Sequence, residues 1–87
     1  MLRITPTDGG THHFIFRLEG RIAGPWVAEL WKACEKVLGE GRSLKLDLAE
    51  VSFADRAGIA LLTQVQSRGV QLQDCSAFVQ EQLRAVG

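Results

Sequence analysis

Residues 47–62 read DLAEVSFADRAGIALL, and the fold turns on how this stretch is divided. Just before and into it, SLKLDL (43–48) alternates strictly. Leu44, Leu46 and Leu48 fall on one side, and Lys45 and Asp47 fall on the other, which is the period of a half-buried strand. Beyond residue 55 the period changes. Gly58, Leu61, Leu62 and Val65 recur on one face of a helix turning 100° per residue. The chain therefore passes from strand to helix at Asp55. An aspartate suits that junction, because its carboxylate accepts hydrogen bonds from N–H groups in the first turn. Arg56 does not suit it. A helix N-terminus carries partial positive charge, so a cation there has the unfavourable sign. Two explanations are open: Asp55 neutralises Arg56 locally, or the guanidinium serves a partner. The same wheel sends Arg56 toward solvent with Thr63 and Ser67 below it, and Ile59 and Ala60 flank that face. Gly58 lies in the buried stripe and lets the helix approach the sheet closely.

Working outward, Leu2 and Ile4 alternate with Arg3 and Thr5 as a short first strand. PTDGG (6–10) has turn chemistry. HFIFRLEG (13–20) places Phe14, Phe16 and Leu18 on one face, making a hairpin partner for the first strand. GPWVAELWKACEKVLG (24–39) is an amphipathic helix with Pro25 at its first position and Gly39 as its stop. Its apolar stripe is Trp26, Val27, Leu30, Trp31, Cys34, Val37 and Leu38. The tryptophans are expected in the core, with an interface rim as the alternative for one of them. The second helix ends at Gly69. VQLQ (70–73) is a strand, and SAFVQEQLRAVG (76–87) is a last helix with Val79, Leu83 and Val86 on one face. The order β-β-α-β-α-β-α predicts one α/β domain over residues 1–87. Its sheet is mixed, with parallel pairing across the crossovers. The strands alternate, so the helices should cover mainly one face of the sheet.

The 87 residues balance ten Lys+Arg against ten Asp+Glu, with 46% hydrophobic residues. A neutral chain without a basic stripe is a poor nucleic-acid binder. No apolar run is long enough to span a bilayer, so direct membrane insertion is not expected. MLRITPTDGG lacks the basic and apolar regions of a signal peptide, and a cytoplasmic location is expected. Cys34 and Cys75 have no metal-ligand spacing and are expected to be buried free thiols. No phosphate-cradling glycine motif is present. Adjacent His12 and His13 would point to opposite faces of an extended segment and cannot easily share a metal. Asp47, Glu50 and Asp55 surround the motif as acid/base candidates. No nucleophile with a histidine base accompanies them, so neither catalysis, nor a metal, nor a cofactor is expected.

LEG (18–20), the amphipathic helix and LKLDLAEVSFADRAGIALL (44–62) together resemble a STAS domain. This is the domain of anti-sigma-factor antagonists, stressosome proteins and sulfate-transporter tails. The resemblance runs from about Leu2 to Leu83, and the chain looks shortened at its C-terminus, leaving a sheet edge open to a partner or a second copy. The family usually carries D-S-S-G or D-T-x-G where this chain has Asp55-Arg56-Ala57-Gly58. A partner kinase phosphorylates the first hydroxyl residue after the aspartate, so Arg56 occupies the phosphosite-equivalent position and cannot be phosphorylated. The resemblance implies a non-catalytic interaction module. Its binding face would be Ser52, Ala54, Asp55, Arg56, Ile59, Ala60 and Thr63, and its partner an anti-sigma factor or related kinase-fold ATPase. ELWKACEKVL (29–38) and GIALLTQV (58–65) also look like the STAS-like accessory subunits that dock on the ATPase of bacterial phospholipid ABC transporters, which is the alternative. A nucleotide or phosphate at the second helix's N-terminus ranks third, since Asp55 competes for the same N–H groups. A phosphosite moved to Ser52, Thr63 or Ser67 has no support in the sequence.

Overall fold

The computed structural model describes residues 2–8, 13–75 and 77–86. The elements follow the expected order: β1 (Leu2–Asp8), β2 (His13–Ile22), α1 (Pro25–Gly39), β3 (Ser43–Ala54), α2 (Arg56–Ser67), β4 (Gln71–Gln73) and α3 (Ala77–Val86). They form one four-stranded sheet in the order β1-β2-β3-β4. β1 and β2 pair antiparallel, as the hairpin reading required. β2–β3 and β3–β4 pair parallel, as the helical crossovers required.

The alternation in the strands becomes a two-faced sheet. Phe16, Leu18, Leu44, Leu46 and Leu48 are all buried on the side where the helices pack. They meet Leu30, Cys34 and Val37 from α1, Leu62 and Val65 from α2, and Val79 from α3 in one core. The other face is polar. Arg3, Arg17 and Glu19 form a ladder of ion pairs there, at 3.9 Å for Arg3–Glu19 and 3.7 Å for Arg17–Glu19. Arg21 lies 5.0 Å from the ring centroid of Phe53. Exposed pairs of this kind contribute little to stability, but they keep the face wet.

Several boundaries differ from the sequence reading. β1 continues through Asp8, so Pro6–Asp8 belong to a strand and not to a turn; Pro6 is tolerated because β1 is an edge strand. The rest of that turn, Gly9 and Gly10, and His12 lie outside the described residues. β3 extends through Ala54, six residues past the alternating segment. It does so by breaking its own period. Arg17 and Glu19 pair with Asp47 and Glu50, and Gly20 and Arg21 pair with Val51 and Phe53. β3 thus takes one extra residue twice, as β-bulges do: the first moves the inward position to Val51, and the second restores the original alternation at Ala54. β4 begins at Gln71, one residue later than expected, although Val70 is buried beside it. α1 ends at Gly39, but the left-handed turn that reverses the chain falls on Gly41, at φ 76°. Gly69, at φ 94°, ends α2 as anticipated.

The tryptophans are half-buried and not core residues. The helix period explains this: Leu30, Cys34 and Val37 take the centre of the buried stripe, and Trp26 and Trp31 stand on its two flanks. Trp26 borders a cleft of about 410 Å³ with Leu2 and Ile4. Trp31 borders α2. Cys34 is buried, and burial pushes its thiol up to about 12. Cys75 is only half-buried, and both are free thiols.

Candidate functional site

The site grows from the hand-over between β3 and α2. Asp55 keeps an extended backbone, at φ −80° and ψ −177°, and its N–H donates to the Ile22 carbonyl at 3.1 Å. That bond extends the strand pairing by one residue and aims the side chain at the start of α2. Asp55 Oδ1 accepts from the Gly58 N–H at 2.7 Å, which caps α2. Asp55 Oδ2 accepts from the Gly24 N–H at 3.1 Å. Gly24 is the residue before α1, with φ 60°. One carboxylate therefore ties the starts of both helices together. The second bond is legible only in three dimensions, because 31 residues separate the partners. The hydrogen bond from Gly58, and then the one from Gly24, hold the Asp55 carboxyl below the usual aspartate range, against a smaller opposing effect of desolvation.

Gly58 sets the depth of this arrangement. A side-chain carbon added there would lie 3.0 Å from Ile22 Cγ2, and closer still to the Ile22 carbonyl oxygen. Only a residue without Cβ lets α2 seat this near β2.

Arg56 is exposed at the first position of α2. Neither first turn, of α1 or of α2, contains a carboxylate. The local explanation in which Asp55 pairs with Arg56 does not hold: both Asp55 oxygens accept backbone N–H groups, and no ion pair joins the two side chains. The other arginines all have partners. Arg3 and Arg17 meet Glu19, Arg84 meets Glu81, and Arg42 meets Glu40 and the Phe14 ring. Arg21 and Arg68 lie over aromatic rings. Among the described arginines Arg56 alone has neither a carboxylate nor a ring.

The residues expected to form the binding face divide in two. Ser52, Arg56, Ala60 and Thr63 are exposed, and Asp55 is half-buried. Ala54, at 0% exposure, and Ile59, at 2%, are core residues and cannot touch a partner. Ala54 is the last residue of β3, on the same inward side as Leu48, and not part of an exposed loop. The apolar stripe of α2 is wider than the wheel reading allowed, spanning Gly58, Ile59, Leu61, Leu62 and Val65. The exposed hydroxyls are engaged with backbone. Ser52 Oγ donates to the Gly20 carbonyl at 3.2 Å, Thr63 Oγ1 to Ile59 at 3.0 Å and Ser67 Oγ to Gln64 at 2.6 Å.

The carboxylates near the motif do not converge. Asp47 Oδ1 accepts from its neighbour Ala49 N–H at 3.0 Å, Glu50 is exposed, and Asp55 serves as the cap. Among the described residues no group of His, Cys, Asp and Glu could hold a metal ion. No helix formed by them is long and apolar enough to cross a membrane.

A groove of about 540 Å³ between α1 and α2 escaped the sequence reading. Val27, Ala28 and Trp31 line it from α1, and Ala57, Ala60 and Gln64 from α2. The Arg68 guanidinium lies 6.0 Å from the Trp31 ring centroid at its far end. Ala57, Leu61 and Gln64 face α1, and the helix period carries Arg56, Thr63 and Ser67 onto the opposite flank of α2, with Ala60 on the ridge between. The signal available in the sequence was the small residues Ala28, Ala57 and Ala60 at helix positions where a solvent-facing surface usually carries charge.

A mixed four-stranded sheet covered on one face by three helices, with a capped helix opening from a parallel central strand, defines a STAS-fold domain. The STAS_2 family model, described as "Mlab, STAS domain", matches residues 7–87, and the chain belongs to that family. Among solved structures, the anti-sigma factor antagonist SpoIIAA in its unphosphorylated form superposes with a TM-score of 0.75 at 13% identity, covering 94% of this chain and 82% of that one. A STAS-domain antisigma-factor antagonist from Rhodobacter sphaeroides gives a TM-score of 0.60 at 15% identity, covering 87% and 92%. Mglu gives 0.62 at 22% identity over 79% of this chain and 18% of its own. At these identities the likeness is one of fold. No curated protein matches the chain.

Proposed function

We propose that this chain is a non-catalytic docking module whose contact face is the exposed flank at the start of α2, formed by Ser52, Asp55, Arg56, Ala60 and Thr63. The observation that carries the proposal is the unpartnered guanidinium of Arg56. It stands where a helix end disfavours a cation, and Asp55, its neighbour, is committed to two backbone N–H groups. A charge kept in an unfavourable place without an internal partner is accounted for by an external one. Holding such a charge against the dipole costs about 0.3–1 kcal/mol at an exposed helix end.

The partner carries an acidic group that receives Arg56. In line with the SpoIIAA-like fold, it is an anti-sigma factor or a related kinase-fold ATPase. Arg56 has no hydroxyl to accept a phosphoryl group, and its charge is opposite to that of a phosphoserine, so the module is not released by phosphorylation at this position. The alternative partner, the ATPase subunit of a phospholipid ABC transporter, would use the same flank.

Co-purification from the native host, followed by titration calorimetry with wild type and Arg56→Glu, tests the reading. The identity of the co-purifying ATPase separates the two partners. Unchanged affinity for the Glu variant removes Arg56 from the interface, and transfer of label from ATP onto residues 52–67 contradicts the absence of a switch.

A further inference from the structure

β1 is one end of the sheet, and among the described residues no strand pairs with its outer edge. The opposite edge strand, β4, has three residues, whereas β1 has seven. A long unpaired edge is a template for another strand. Pro6 shows which groups this edge offers. A proline in an edge strand turns its nitrogen away from the ladder. Backbone groups alternate in direction along a strand, so Ile4 and Leu2 turn their N–H and C=O groups outward with it. Beside this edge lies the apolar cleft of about 410 Å³, lined by Leu2 and Ile4 from the strand and by Pro25, Trp26 and Glu29 from α1. It sits next to the inward side chains of β1, where the inward side chains of one more strand would lie. Ile4 and Trp26 remain half-buried there.

A strand that fits must be apolar at alternate positions, and β1 is itself such a strand. Leu2 and Ile4 face the cleft, while Arg3 and Thr5 are exposed on the other face of the sheet. Antiparallel pairing about a two-fold axis lets each copy fill the other's cleft with the same residues. Charge and Pro6 fix the register. An axis at Arg3 sets two arginines directly opposite, which is destabilising. An axis at Thr5 sets Ile4 against the partner's Pro6, which has no N–H to give the Ile4 carbonyl. An axis at Ile4 lets that residue exchange both bonds with its counterpart. It also places Arg3 opposite the partner's Thr5, and leaves Pro6 at the end of the shared ladder, where its carbonyl accepts from the partner's Leu2. The formal net charge of the chain is zero, so no long-range repulsion opposes the pairing.

We infer that this chain self-associates as a two-fold dimer through β1, joining two four-stranded sheets into one and filling the cleft beside each edge with the partner's inward side chains. The dimer leaves the docking flank of α2 open, since none of Ser52, Asp55, Arg56, Ala60 and Thr63 borders the cleft.

Sedimentation velocity of the full chain, over about a hundredfold range of concentration, should show a monomer–dimer equilibrium. Thr5 is exposed, lies opposite Arg17 within its own sheet, and faces the partner's Arg3 in the dimer. Each dimer holds that cross-strand pair twice. Thr5→Glu should therefore tighten the dimer about fivefold, and Thr5→Arg should weaken it about fivefold. Thermal midpoints measured on dilute monomer report the effect of Arg17 on each variant separately. If Thr5→Arg does not fold, the sign of the change in Thr5→Glu decides alone. A chain that stays monomeric throughout overturns the inference. So does a dimer that Thr5→Glu leaves unmoved or weakens, because the copies then meet at another surface or in another register. Neither result bears on docking at α2, which Arg56→Glu reads.

Discussion

Gly58→Ala probes the close seating on which the site depends. Alanine would normally favour α2, because replacing glycine inside a helix gains about 1 kcal/mol. Here the new methyl group would meet the Ile22 carbonyl oxygen and, at 3.0 Å, Ile22 Cγ2. The isoleucine side chain can turn aside, but the carbonyl belongs to the last residue of β2 and its oxygen already accepts the Asp55 N–H. It cannot move without disturbing the strand end. Overpacking that a side-chain rotation cannot relieve belongs at the upper end of the usual ~1–3 kcal/mol range. Subtracting the helix gain leaves a net loss of about 2 kcal/mol. For a domain of this size that lowers the thermal midpoint by about 8–16 °C, and it lowers the urea midpoint by roughly 1 M at a slope near 2 kcal/mol/M. Gly39→Ala is the control. Gly39 is also helical, as the last residue of α1, and nothing lies within 4 Å of the position an added Cβ would take. That variant should be neutral or slightly stabilised. Equal midpoints for the two variants would show that the close seating of Gly58 against Ile22 carries no cost.

Two further outcomes follow from the ionisable groups. The Asp55 carboxyl is held below its ordinary value, so the unfolded chain binds its proton more readily than the folded one. Its stabilisation is complete above the ordinary aspartate value, near pH ~3.9, and is lost as pH falls through the lowered folded value. Asp55→Asn keeps a capping side chain but loses the charge, so urea midpoints of the two proteins should differ at pH 7 and converge toward pH 3. A difference that stays constant over that range would show that the charge is not the source. For the thiols, iodoacetamide at pH 8 should modify half-buried Cys75 in the native protein and reach Cys34 only after denaturation, as read by peptide mass spectrometry. Native labelling of Cys34 ahead of Cys75 would contradict the packing of α1.

Much of the fold was legible because periodicity reports burial directly. Leu44, Leu46 and Leu48 announced a strand, Leu61, Leu62 and Val65 announced a helix, and the parallel pairing followed from the crossovers. The second half of β3 was not legible, because two bulges reset its phase. Ala54 was expected on an exposed loop because the strand was ended at Leu48; it closes β3 and lies inside. Ile59 was misplaced for a related reason: a stripe fixed by Gly58, Leu61, Leu62 and Val65 is narrower than the surface that α2 buries. At the site, the Asp55 cap of α2 was legible from local spacing. Its bond to Gly24 was not, because it joins elements 31 residues apart. The groove was hidden for the same reason, since its two walls come from different helices and neither wall is apolar enough alone to mark a surface.

In the function proposed above, Arg56 is kept at the mouth of α2 for a partner and not for the fold. Arg56→Glu, measured once for stability and once for binding, tests it most directly. Removing a cation from a helix N-terminus and placing an anion there should each stabilise by about 0.3–1 kcal/mol, so the variant should unfold at a higher temperature than wild type while binding the co-purified partner about tenfold more weakly. A variant that unfolds earlier, or one that binds as tightly as wild type, would contradict the account.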